Sequence, residues 1–117
     1  MMGKLTTHVL DTAHGRPAAG VRIGLYAATA PQHAIASGET DTDGRCEAPL
    51  LEGEDFAEGV YELAFHVGDY FRDAGVDVPN PPFLDVVIIR FGIAASDQHY
   101  HVPLLVSPFG YSTYRGS

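Results

Sequence analysis

The chain has 117 residues, 45% of them hydrophobic and 19% charged, with a formal net charge of -8 at pH 7. That is the length of one domain, with enough apolar residues to form a core. The acidic balance argues against nucleic acid and anionic membranes as partners, and an anionic small molecule would need a local Arg or His to overcome the global field.

Cys46 is the single cysteine, so no intramolecular disulfide forms and the fold must stand without one. The opening "MMGKLTTHVL" lacks the apolar run of a signal peptide, and no stretch is long enough to span a bilayer, so the expected location is cytoplasmic.

In chain order, short alternating runs broken by turns predict strands. "KLTTHVLDT" alternates Leu5, Thr7 and Val9 against Thr6, His8 and Leu10. The turn "HGRPAAG" leads to "VRIGLYAAT", with Val21, Ile23 and Leu25 on one face. "AIASGET" is a weaker strand and runs into "DTDGR", where Asp43-Gly44 is a strong turn signal. "RCEAPL" is expected to leave that turn as a short strand. "GVYELAFHV" places Tyr61, Leu63, Phe65 and Val67 inward. "GDYFRDAGV" breaks the alternation and predicts a short helix capped by Asp69 and ended by Gly75. "VPNPP" cannot be regular structure. "FLDVVIIRFGI", "HYHVPLLVS" and "GYSTYRGS" predict three further strands. About eight strands and one short helix point to an all-β, two-sheet sandwich in a single domain over residues 1–117.

In such a sandwich one face of each strand meets the core and the other meets water or a partner. In "HYHVPLLVS" the apolar set is Tyr100, Val102, Leu104 and Val106, which sends His99, His101, Pro103 and Leu105 outward. If this strand and the first share a sheet, its outer face gathers His8, His99, His101, Leu10 and Leu105, with Tyr114 or Arg115 nearby. Two leucines on that face point to cover by another subunit, and so to a histidine-bearing cleft between subunits.

Other histidines have plainer readings. His14, His33 and His66 are read as surface or hydrogen-bonded groups. His99 and His101, with His8, have the spacing of a possible metal set, but no Cys, Asp or Glu completes it, and metal is not the preferred reading. Cys46 reads as a small buried hydrophobe, Asp73 and Asp77 as solvated charges, and Arg45 alone as a turn-exit residue. The end "YRGS" combines a Tyr and an Arg with a Gly that allows close backbone approach, and is expected to occupy a built position.

"LTTHVLDT", "DTDGRC" and "HYHVPLLVSPFGYSTYRGS", in that order, resemble the motifs of the transthyretin-related 5-hydroxyisourate hydrolases, and the resemblance runs nearly end to end. The terminal Tyr-Arg-Gly-Ser is the mark that separates these hydrolases from the hormone carrier transthyretin. One departure is Ile88, where the family pattern leads one to expect Pro. The resemblance implies a transthyretin-like sandwich of two four-stranded sheets with one short helix. It also implies a homotetramer with sites at the dimer–dimer interface, and hydrolysis of 5-hydroxyisourate without a cofactor.

Carried over by position, the resemblance assigns His8 and His101 to water activation and proton transfer. It gives Arg45 to substrate binding, and Tyr114, Arg115 and Ser117 to shaping the pocket. Thr6, Leu105 and Ser112 become wall residues. His99 shares the motif, but the second His of "HYH" corresponds to the catalytic one. Two other readings are weighed: a transthyretin-like small-molecule carrier, which needs no paired His and Arg, and a structural β-sandwich module, which would come with a leader or companion domains.

Overall fold

The computed structural model describes residues 3–116, so Ser117 lies outside the described residues. Among the described residues the strands are β1 (Lys4–Asp11), β2 (Arg16–Pro17), β3 (Arg22–Ala27), β4 (Ala34–Glu39), β5 (Leu51–Glu52), β6 (Gly59–Phe65), β7 (Val87–Ile93), β8 (His99–Ser107) and β9 (Gly110–Thr113). A 3-10 turn at Gly53–Asp55 and one helix, α1 (Val67–Asp73), complete the regular structure.

Two sheets pack face to face. One has the order β2-β1-β8-β9, with β5 also pairing β1; the other runs β4-β3-β6-β7. Among the described residues only the β1–β8 pair is parallel, with Thr6 opposite His101 and Leu10 opposite Leu105. The alternation read from the sequence sets the faces. Leu5, Val9, Tyr100, Val102, Leu104 and Val106 are buried from the first sheet, and Ile23, Leu25, Leu63, Phe65, Val87, Ile89 and Ile93 from the second. Each large apolar side chain removed from water contributes roughly 1.5–3 kcal/mol. That burial fixes the register, because a slip of one residue would turn the whole apolar set outward.

Helix α1 has seven residues, too few to be stable alone. Val67, Tyr70 and Phe71 bury one side of it in the core. No helix among the described residues is long and apolar enough to cross a membrane.

The two-sheet sandwich with one short helix is the expected architecture, and the element boundaries differ from expectation in several places. "RCEAPL" is not a strand: Arg45 makes an isolated bridge to His8, and pairing resumes only at β5. The Asp41–Gly44 turn closes so tightly that the chain leaves it beside β1 rather than along a sheet. β2 and β5 are two-residue additions to the edges of β1, so the first sheet has five strands. β7 begins at Val87, because residues 83–86 leave a proline-rich stretch without a sheet partner. β9 ends at Thr113. The helix starts at Val67 with His66 at its cap, which puts Asp69 inside the first turn rather than at the cap position. Gly75 follows the helix at φ +85°, as the αL residue expected there. Ile88, at the position of the expected Pro, faces out on edge strand β7 and is 54% exposed; an edge strand is also where a Pro is tolerated.

Candidate active site

The outer face of the β1–β8 pair carries the site. Thr6 stands opposite His101, and His99 lies two residues back on the same face of β8. Adjacent strands bring opposite and diagonal side chains on one face within reach of each other. The Thr6 hydroxyl therefore sits between two imidazoles, 2.7 Å from His99 Nε2 and 2.8 Å from His101 Nδ1. The two rings are tilted at 61° with centroids 6.2 Å apart.

Arg45 comes to this face through the "DTDGR" turn. Asp41 Oδ1 accepts hydrogen bonds from the backbone of Asp43 and Arg45, and Gly44 N donates to the Asp41 carbonyl. Gly44 has φ +77°, and a Cβ there would lie 2.3 Å from the Val9 carbonyl oxygen. Only glycine meets both conditions. Val9 N donates to the Gly44 carbonyl at 2.8 Å, which clamps the turn to β1 and sets Arg45 beside His8.

A cleft of about 260 Å³ results, lined by Thr6, Thr7, Arg45, Cys46, His99 and His101. Cys46 is half-buried at its wall rather than sealed in the core, because the chain after the turn runs past the cleft instead of forming a strand. Burial, and then the Asp41 charge, push its thiol above the usual cysteine range, which keeps it protonated and unreactive.

His101 is pushed below the ordinary histidine value by burial first, and then by the charges of Arg45, His99 and His8. His99 is pushed the same way by burial, Lys4 and Arg115. Both rings are thus neutral at pH 7, the state in which an imidazole accepts a proton.

His8 sits two residues beyond Thr6 on the same face of β1. Its Nε2 lies 2.7 Å from the Asp43 carbonyl oxygen. A carbonyl only accepts, so Nε2 carries a proton and donates it there. Among the described residues no group of three or more His, Cys, Asp or Glu side chains is arranged to hold a metal ion.

The C-terminal segment reaches the same neighbourhood. After β9, Gly116 pairs with His101 through two backbone hydrogen bonds, N to O at 2.7 Å and O to N at 3.3 Å. Tyr114 is 61% exposed. Arg115 turns to the edge of β8: its guanidinium lies 4.1 Å from the Tyr100 ring centroid and donates to Gln98 Oε1 and the His99 carbonyl. Its reach toward the cleft is therefore the influence of its charge on His99. Of the expected wall residues, Thr6 lines the cleft. Leu105 and Ser112 stand opposite each other further along the sheet.

The structure thus gathers His101, Arg45 and Thr6, and adds His99 and Cys46. Sequence alternation had already put His99 on this face; its contact with Thr6 depends on the parallel register, which periodicity does not report.

The model of the HIUase/Transthyretin family matches residues 5–116. The chain belongs to that family. It is 60% identical over 117 residues to the 5-hydroxyisourate hydrolase of Pseudomonas aeruginosa, covering 99% of this chain and 93% of that one. Among solved structures it is similar to the 5-hydroxyisourate hydrolase of Klebsiella pneumoniae, with a TM-score of 0.82 and 34% identity over 99% of this chain and 100% of that one. A sea bream transthyretin solved in complex with thyroxine is similar in fold, with a TM-score of 0.83 and 30% identity over 97% of this chain and 94% of that one. A hydrolase and a thyroxine-bound transthyretin share the architecture, so the fold alone does not distinguish their functions.

Proposed function

We propose that this protein hydrolyses 5-hydroxyisourate to 2-oxo-4-hydroxy-4-carboxy-5-ureidoimidazoline. The observation that carries this reading is the polar cleft in which Arg45 stands beside two neutral imidazoles, His99 and His101. The whole-length relationship to a hydrolase supports it.

The chemistry follows from the groups present. Ring opening at an amide needs an activated water, a held carbonyl and a counterweight for the oxyanion. A neutral imidazole that takes a proton from water contributes about 10²–10⁴-fold. His101 and His8 are the proton-transfer pair of the proposal. The water attacks the ring carbonyl, charge develops on its oxygen, and the C–N bond breaks as the proton passes to the departing nitrogen. Arg45 supplies a planar fork of donors for the anionic ring and the oxyanion, and its charge is local compensation in an acidic protein. Tyr114 and Ser117 are proposed to complete the pocket wall, while Arg115 acts on the cleft through its charge beside His99. The reaction as proposed uses side chains alone, without a cofactor.

The working form is proposed to be the homotetramer, with residues 1–117 acting as one catalytic domain and located in the cytoplasm. Leu10 and Leu105 lie half-buried on the outer face of the isolated chain, and β7 and β9 have open edges. A second subunit over that face would close the cleft against water. The carrier reading is disfavoured by the same cleft: an apolar hormone channel has no use for two imidazoles and a guanidinium.

The test is to generate 5-hydroxyisourate with urate oxidase and follow its ultraviolet absorbance. Accelerated decay on adding the protein is expected; an unchanged spontaneous decay contradicts the proposal.

A further inference from the structure

We propose that Thr6 and His99 form a positioning relay that fixes the tautomer of His101. The inference rests on the hydrolytic reading for its consequence, but its geometry stands independently of substrate.

A hydroxyl has one hydrogen and so donates to at most one of two neighbours. Thr6 Oγ1 lies within hydrogen-bond distance of a ring nitrogen on each side. If it donates to His101 Nδ1, the proton of that neutral ring sits on Nε2, and the ring presents no lone pair to the cleft. If it donates to His99 Nε2, then His101 Nδ1–H donates to Thr6, and His101 Nε2 is left bare. Only the second arrangement makes His101 a base. His101 Nε2 has no hydrogen-bond partner among the described residues, whereas its Nδ1 is held by Thr6.

The second arrangement needs His99 in its neutral form, and the surroundings provide it. His99 must accept, so it must be neutral. Lys4, which pairs with it across the sheet, and Arg115, which donates to its carbonyl, both place positive charge beside it, and burial acts in the same direction. The nitrogen that carries the proton in a histidine is set by the hydrogen bond the other nitrogen makes. The chain of donation runs from His101 Nδ1 to Thr6 Oγ1 and from Thr6 to His99 Nε2. When His101 Nε2 takes a proton from water, the new imidazolium already points its other N–H at an oxygen dipole. Thr6 and His99 exchange no proton with substrate; they hold the ring that does. Arg115 thereby acts on the site without touching the cleft.

The register makes the relay possible. Thr6 opposes His101 directly and His99 diagonally, so a hydroxyl on a short, β-branched side chain spans both rings. A longer residue at position 6 would enter the cleft.

The experiment is long-range proton–nitrogen NMR of the imidazoles in the intact, 15N-labelled protein, combined with kinetics of Thr6→Val, Thr6→Ser, His99→Phe and His99→Gln. Wild-type His101 should appear in the Nδ1–H form and His99 with a bare Nε2. Thr6→Val, nearly isosteric but without the hydroxyl, should shift His101 away from the Nδ1–H form. It should also lower kcat by roughly 10- to 100-fold, the scale of removing a partner that orients an imidazole, with KM little changed. Thr6→Ser should restore both the tautomer and most of kcat. His99→Phe should resemble Thr6→Val, and His99→Gln, whose amide oxygen can accept, should be milder. Wild-type His101 in the Nε2–H form, or His99 protonated at Nε2, overturns the relay. So does Thr6→Val with unchanged tautomer and kcat, or a Thr6→Ser variant as impaired as Thr6→Val. If the expected tautomers appear but the wild type leaves 5-hydroxyisourate decay unchanged, the relay stands and the hydrolytic reading falls.

Discussion

Gly116 lies flat against the His101 ring. A Cβ on Gly116 would stand 2.9 Å from His101 Cδ2 and 3.1 Å from its Cβ, while the two backbones exchange hydrogen bonds. The closing segment is thus a wall of the imidazole's own slot, and a side chain there must push the ring aside. Gly116→Ala is expected to lower kcat by about 10²-fold, the scale of a displacement of about 1 Å at a catalytic group. The thermal midpoint should change little, because residue 116 is outside the core. Steady-state kinetics beside a melting curve checks both; a fully active Gly116→Ala variant would show that the ring has room to spare.

Arg45 is held in its turn by its own backbone, its N–H donating to Asp41 Oδ1 and its carbonyl accepting from Asp41 N, so its side chain can be changed without loosening the turn. Arg45→Lys keeps the charge and loses the planar fork. A loss of about 10²–10³-fold in kcat/KM is expected, the scale of removing a donor to a developing oxyanion. Near-wild-type kinetics would return Arg45 to the role of a turn residue.

The pH profile follows from His101. Burial, and then Arg45, His99 and His8, hold its value below the ordinary 6.5. The base must be unprotonated, so activity falls as pH drops through that lowered value. The acid limb of kcat/KM is therefore expected below pH 6.5. A limb centred at or above 6.5 contradicts the assignment.

Away from the site, Asp11 is a buried carboxylate, 1% exposed. Burial pushes its carboxyl up, but the Tyr70 hydroxyl at 2.7 Å and the His14 ring and backbone outweigh it, and the net shift is downward. The folded state then binds fewer protons than the unfolded chain. The stabilisation is complete above 3.8 and is lost as pH falls through the lower, folded value. Tyr70→Phe removes one donor and should cost about 1–3 kcal/mol at neutral pH. Urea unfolding at pH 7 measures it; an unchanged midpoint would mean that the remaining donors suffice.

Much of this was legible in the sequence, for one reason. Strand alternation is enforced by burial, so Leu5, Val9, Tyr100 and Val106 could be placed inside, and His8, His99 and His101 outside, from their spacing alone. The turn at Asp43-Gly44 was equally plain, because its backbone demands glycine. What spacing does not carry is register between distant strands. That Thr6 meets His101 and His99 follows from a parallel pairing across 95 and 93 residues of chain. Arg115 was expected at the pocket, yet its guanidinium settles on Tyr100 and Gln98, an outcome set by local packing after β9 ends. His14 reads as an ordinary turn residue until Asp11 is seen to be buried beside it.

The measurement that bears most directly on the account is the decay of freshly generated 5-hydroxyisourate with wild-type protein and with His101→Asn, at matched concentration and matched melting temperature. The account predicts rapid decay with the wild type, and a loss of about 10²-fold or more in the variant. Decay that the wild type does not accelerate, or that His101→Asn accelerates equally well, would contradict it.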